Sequence, residues 1–131
     1  MRIAVDTNVL VRFLTWDNAE QATQAASAIE TADAVILSTV VLCETVWVLR
    51  RAYRLPNREI ASTLRELIES RTVELDRPVA EAGLALLERG GDFADGVLVL
   101  DADRAKADRL FTFDQQLIDL AGSERVQHPG D

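Results

Sequence analysis

Short apolar runs ended by a polar or acidic residue alternate, along the whole chain, with longer stretches of helical period. The first run, Ile3-Ala4-Val5, stops at Asp6-Thr7-Asn8, and the next, Ala34-Val35-Ile36-Leu37, stops at Ser38-Thr39. A weaker run covers Thr72 to Leu75, another covers Arg109 to Phe113 and ends at Asp114, and Val126-Gln127 makes a short last one. Runs this short are not helices; they suit strands buried on both faces. Four or five strands separated by helices predict an α/β fold with a parallel, helix-covered sheet. Parallel strands share one carboxyl edge, and ligands of open α/β sheets bind there, so Asp6 and Asp114 fall at the functionally important edge.

The intervening stretches read as helices with recognisable ends. Asn8 to Leu14 is short and breaks near Trp16-Asp17-Asn18. Glu20 to Thr31 follows, with Asn18 as its N-cap. Ser38 or Thr39 caps a long helix reaching about Arg54, which Leu55-Pro56 ends. Asn57 to Ser70 places Ile60, Leu64, Leu67 and Ile68 on one face. Arg77-Pro78 opens a helix with Val79, Ala82, Ala85 and Leu86 inward, closing at Gly90-Gly91. Asp92 caps a helix to about Lys106, and Asp114 opens a short one to Leu120. No repeat or linker interrupts this order, so residues 1–131 are expected to form a single domain.

Composition narrows the chemistry. The net charge is −8 with only 14 Lys and Arg, which disfavours a binding module that relies on its own cations to hold phosphates. It is compatible with an enzyme whose acids hold divalent cations, because the cations then supply the local positive charge. A single cysteine, Cys43, excludes an intramolecular disulfide and a cysteine-rich zinc site. The only imidazole is His128 near the end of the chain, so acid–base chemistry by paired histidines is unsupported. Neither GxxxxGK[ST] nor GxGxxG occurs. With no signal-like start and no apolar run of membrane length, the expected location is the cytoplasm.

Four carboxylates occupy distinctive addresses: Asp6 and Asp114 at strand ends, Glu44 early in the helix after the second strand, and Asp95 in the first turn of DFADGVLVLDAD. Each has a plainer reading. Asp6 or Asn8 serves as an N-cap, Asp92 and Asp95 complement a helix dipole, and Asp114 caps the helix it opens. Glu44 either lies on a narrow solvated stripe with Arg51 or is a buried acid needing a cation, since Val40-Val41-Leu42-Cys43 and Val46-Trp47-Val48-Leu49 flank it. Matching addresses favour a common site, with Asp92 as the cap and Asp95 facing the strand edge. Carboxylates forced together repel, and hard cations with oxygen ligands, Mg²⁺ or Mn²⁺, relieve that. Phosphoryl chemistry assisted by metal is the expected reaction class.

At these residues the chain resembles the PIN-domain ribonucleases, specifically the VapC toxin type of bacterial toxin–antitoxin pairs. The matching pieces are Asp6-Thr7-Asn8, Ser38 with Glu44, Asp92-Phe93-Ala94-Asp95 and Thr112-Phe113-Asp114, in family order over nearly the whole chain. The resemblance implies a five-stranded, mostly parallel sheet between helices, with Asp6, Glu44, Asp95 and Asp114 binding Mg²⁺ or Mn²⁺. It implies endonucleolytic hydrolysis of RNA, with Asn8 and Thr112 as supporting polar residues; Asp92, read from its place at the helix start, caps the helix and at most supports Asp95. It further implies a homodimer and a cognate VapB-like antitoxin laid over the active-site groove. Gly96 departs from the pattern, since relatives more often carry Ala or Cys there.

Several other residues keep two readings. Arg50, Arg51, Arg54 and Arg58 form a local basic patch that contacts RNA phosphates or simply complements helix ends and solvent. Arg104, Lys106 and Arg109 share that ambiguity. Trp47 and Phe111 are expected in the core, and Trp16 is the exposed aromatic. Two rivals to the nuclease remain: a phosphatase or phosphoacceptor domain with Asp6 as nucleophile, and a catalytically silent PIN-like binding module. Asn8 stands where the first rival, in its haloacid-dehalogenase-type form, needs a second Asp; the intact acids oppose the second.

Overall fold

The computed structural model describes residues 1–131, and its contacts divide the chain into two compact units, Met1–Arg77 and Pro78–Asp131. The first unit is built from strands β1 (Arg2–Ala4), β2 (Ala34–Ile36) and β3 (Val73–Glu74), and helices α1 (Thr7–Thr15), α2 (Ala19–Thr31), α3 (Thr39–Arg51) and α4 (Asn57–Glu69). β1 pairs with β2 and β2 with β3, both in parallel, so β2 is the central strand. Ala34, Val35 and Leu37 are buried accordingly, and Leu37 donates its N–H to the Glu74 carbonyl at 2.9 Å. The opening apolar run was expected to form a strand buried on both faces. It is instead an edge of the three-stranded sheet, with Ile3 half-buried and Ala4 exposed.

Local chemistry sets the helix ends in this unit. Asn18 accepts from the Gln21 N–H at 3.0 Å and Ser38 from the Val41 N–H at 3.2 Å, each at an N-cap with extended backbone. α1 ends at Trp16, whose left-handed φ of 55° lets its N–H reach the Arg12 carbonyl. Small residues on α2, Ala22, Ala25 and Ala26, are buried and allow α1 to pack closely against it. A polar network pins the ends of α1 and α3: Arg12 donates to Gln21, Asp17 and Tyr53, and the Tyr53 hydroxyl donates to Asp17 at 2.5 Å. That hydroxyl, more than any other group, holds the Asp17 carboxyl below the usual carboxylate range. α3 stops at Arg51 rather than Arg54, which instead takes a left-handed φ of 54° before Pro56.

The second unit holds most of α5 (Arg77–Glu88), then α6 (Phe93–Arg104), β4 (Leu110–Phe111), α7 (Gln115–Ala121) and β5 (Val126–Gln127). β4 pairs in parallel with β5 alone. The expected single five-stranded sheet is therefore resolved as a three-stranded and a two-stranded sheet, because a two-residue β4 offers only a short ladder, and Val126 and Gln127 take it. α5 buries Val79, Ala80, Gly83, Leu84, Leu86 and Leu87, so its inward face is rotated from the expected one and Ala85 is exposed. Leu86, Leu117, Ile118 and Val126 form a cluster with Leu110 and Val99 against it. α6 crosses α5 at close range: a side chain at Gly96 would collide with the Ala82 carbonyl, and one at Gly83 with the Phe93 ring. No helix is long and apolar enough to cross a membrane.

Candidate active site

In Met1–Arg77 the chain leaves β1 and turns directly into α1, which fixes Asp6 at the N-cap. Its Oδ1 accepts from the Thr7 N–H at 2.7 Å, and its carbonyl accepts from Val9 and Leu10. Asp6 rather than Asn8 is thus the cap, and Asn8 stands exposed on the first turn. Capping engages one carboxylate oxygen and leaves Oδ2 for a ligand. Thr7 is one of two buried polar residues in the chain, and its Oγ1 donates to Glu44 Oε2 at 2.9 Å. Consecutive residues at the head of α1 therefore tie the strand end to the second turn of α3. Glu44 itself is exposed. The expectation of an acid sunk in an apolar turn fails because α3 buries Val41, Leu42, Thr45, Val46 and Leu49 and turns Val40, Glu44 and Trp47 outward.

In Pro78–Asp131 the acids gather around the start of α6. Asp92 is the N-cap, its Oδ1 accepting from the Ala94 N–H at 3.3 Å. Asp95, one turn on, is half-buried, and its pKa is raised, first by loss of solvent and then by the negative charges of Asp92 and Asp114. Asp114 caps α7, accepting from Gln116 at 2.9 Å and Leu117 at 3.4 Å. Thr112 Oγ1 accepts from the Asp114 N–H at 3.0 Å and steadies that turn. So the capping readings of Asp92 and Asp114 hold, and both carboxylates still act electrostatically on Asp95. A half-buried carboxylate crowded by two others is a place where a cation lowers the energy.

The candidate ligands within each unit are carboxylate oxygens, a type that suits hard divalent cations and not zinc. Within neither unit are three His, Cys, Asp or Glu side chains gathered tightly enough to enclose a metal by themselves. Arg50, Arg51, Arg54 and Arg58 make no side-chain hydrogen bond or ion pair in an acidic chain, whereas Arg104 is engaged and Arg109 donates to the Asp108 carbonyl at 3.0 Å. His128 is not a loose residue: its ring packs edge-on against Phe113 with centroids 5.0 Å apart.

The model of the PIN domain family matches residues 3–123. The chain belongs to the PIN-domain family. A solved structure of Mycobacterium tuberculosis VapC20, described as a Sarcin-Ricin loop cleaving toxin, is similar at 20% identity and a TM-score of 0.44, over 95% of this chain and 97% of that one. No curated protein sequence matches the chain. In this PIN domain the glycine at position 96 has a steric cause, the close α5–α6 crossing at Ala82. Thr7, whose hydroxyl holds Glu44, does not stand out from the pattern of acids. Its signal was present, since Thr7 shares a helical face with Leu10, Val11 and Leu14 and a hydroxyl on that face needs a partner.

Proposed function

We propose that this PIN domain is the toxin ribonuclease of a toxin–antitoxin pair, hydrolysing RNA phosphodiester bonds with Mg²⁺ or Mn²⁺ held by Asp6, Glu44, Asp95 and Asp114. Membership of the PIN-domain family supports the class of reaction. The observation that carries the site assignment is the half-buried Asp95, its pKa raised by burial and by two neighbouring carboxylates. A bound divalent cation supplies positive charge at the scissile phosphate and acidifies attacking water. The chain's own residues do the positioning. Asp6 is held by the first N–H of α1, Glu44 by the Thr7 hydroxyl, and Asp114 by the amides of α7. Such fixed carboxylates lose little entropy on binding a cation and keep its position constant.

Asn8 and Thr112 are supporting polar residues in this reading, and Asp92 raises the negative potential at Asp95 while capping α6. Arg50, Arg51, Arg54 and Arg58 contact RNA phosphates. The protein acts as a homodimer, and a VapB-like antitoxin covers its active-site groove. Expression in a bacterial host tests the reading. Wild type is expected to arrest growth and leave RNA with new ends, and Asp95→Asn to do neither. Arrest that persists in Asp95→Asn overturns it.

A further inference from the structure

The outward face of α3 carries more than Glu44. Val40, Glu44, Trp47 and Arg51 recur at i, i+4, i+7 and i+11, which places them on one stripe opposite Val41, Leu42, Thr45, Val46 and Leu49. Trp47 is 60% exposed, against the expectation that it lies in the core. An indole left in water in mid-helix is unusual, because no other side chain gains as much by being covered with a flat apolar surface. Its neighbours along the stripe say what that surface is. At 1.5 Å per residue, Glu44 lies about 4.5 Å to one side along the axis and Arg51 about 6 Å to the other. That order sets a carboxylate for a cation, an aromatic plane and an unpaired guanidinium along about 10.5 Å of helix, a span that the long Arg51 side chain shortens toward the spacing of successive phosphates. The first anchors a scissile phosphate, the second stacks a base and the third meets the next phosphate. A second protein chain would be served by an apolar stripe, but here the indole is bracketed by two full charges, one of which belongs to the basic cluster Arg50, Arg51, Arg54 and Arg58.

We infer that Trp47 is a stacking platform for the base adjoining the bond that is cut, holding single-stranded RNA by the face of that base. The inference rests on the nuclease reading of Glu44. Stacking on an aromatic side chain is tolerant of base identity, since every base has a π-face, and purines, with the larger face, stack more strongly.

The test uses the full-length chain with Trp16→Phe, so that Trp47 is the sole tryptophan. Its fluorescence is titrated with an oligoadenylate and an oligouridylate of ~10 nucleotides, in EDTA, where metal-assisted cleavage is off. Both oligonucleotides are expected to quench Trp47, oligoadenylate at the lower concentration. By anisotropy, Trp47→Ala is expected to weaken binding about tenfold or more. Trp47→Phe, which keeps a ring, is expected to recover most of the loss and controls for folding. With Mg²⁺ or Mn²⁺, Trp47→Ala raises KM for single-stranded RNA and leaves kcat near wild type. Absence of quenching together with unchanged affinity in Trp47→Ala overturns the inference, even if cleavage by wild type is normal. A change of oligomeric state in Trp47→Ala with RNA affinity intact also overturns it, and assigns the stripe to contact between copies. Failure of wild type to cleave RNA with either metal sinks the nuclease reading instead, while the metal-free titration still decides whether Trp47 stacks on RNA.

Discussion

The side chains that matter most here are those doing two jobs at once. Asp6 caps α1 and keeps an oxygen free, and Thr7 fills a buried position and holds Glu44. Thr7→Val keeps the volume and removes the hydroxyl, so it is expected to cut RNA cleavage about tenfold or more, the usual effect of losing a group that orients a ligand. Thermal unfolding of the variant separates this from a folding defect. Thr45 makes the converse case. It is fully buried and its hydroxyl has no partner, so Thr45→Val is expected to stabilise the protein by about 1 kcal/mol in urea unfolding. Asp17 gives the pH dependence its sign. Its pKa is lowered in the folded state, chiefly by the Tyr53 hydroxyl, so its stabilisation is complete above the unfolded-state value and is lost as pH falls through the folded one. Tyr53→Phe is therefore expected to be less stable than wild type at neutral pH, with the gap closing below about pH 4. These roles differ in how far they show in sequence. Caps at Asn18, Ser38, Asp92 and Asp114 are local, set by one side chain and the next turn, and so they were readable. Thr7 and Thr45 depend on what faces them across the unit, and no neighbour in sequence announces that.

Elements were legible where period and punctuation agreed. α4 presents Ile60, Leu64 and Ile68 inward as its spacing requires, and Gly90, with φ at 89°, ends α5 as a glycine in that conformation should. They were illegible where the solvent face is itself apolar. α3 carries Val40 and Trp47 outward, so its period blurs and the exposure of Glu44 does not stand out in the string. β1 reads like a central strand from Ile3-Ala4-Val5, but position in a sheet depends on which strands pair, and β2 takes the middle. The α5–α6 crossing supplies a test at this scale. Gly96→Ala drives a methyl into the Ala82 carbonyl, and the backbone must shift to admit it. The expected cost is about 1–3 kcal/mol in urea unfolding, despite the better helix propensity of alanine. An unchanged midpoint would mean that the helices separate freely there.

For the molecule as a whole, charge and function pull in opposite directions. The chain carries a net −8, yet its proposed substrate is a polyanion. In the proposed function, divalent cations and an arginine cluster would resolve this locally, which predicts that RNA affinity falls steeply with salt even though the protein is acidic. The PIN family was legible from the order of short motifs around Asp6, Glu44, Asp95 and Asp114 along the chain; the division into the units Met1–Arg77 and Pro78–Asp131 was not, because both stretches alternate strand and helix alike. The central claim is that these four carboxylates cleave RNA through a divalent cation. The most direct measurement is cleavage of total RNA by purified protein in Mg²⁺ or Mn²⁺, beside EDTA and beside Asp6→Asn, Glu44→Gln, Asp95→Asn and Asp114→Asn. Cleavage by wild type with metal, stopped by EDTA and lowered at least ~100-fold in each variant, is the predicted result. Cleavage that survives both EDTA and Asp6→Asn would contradict it.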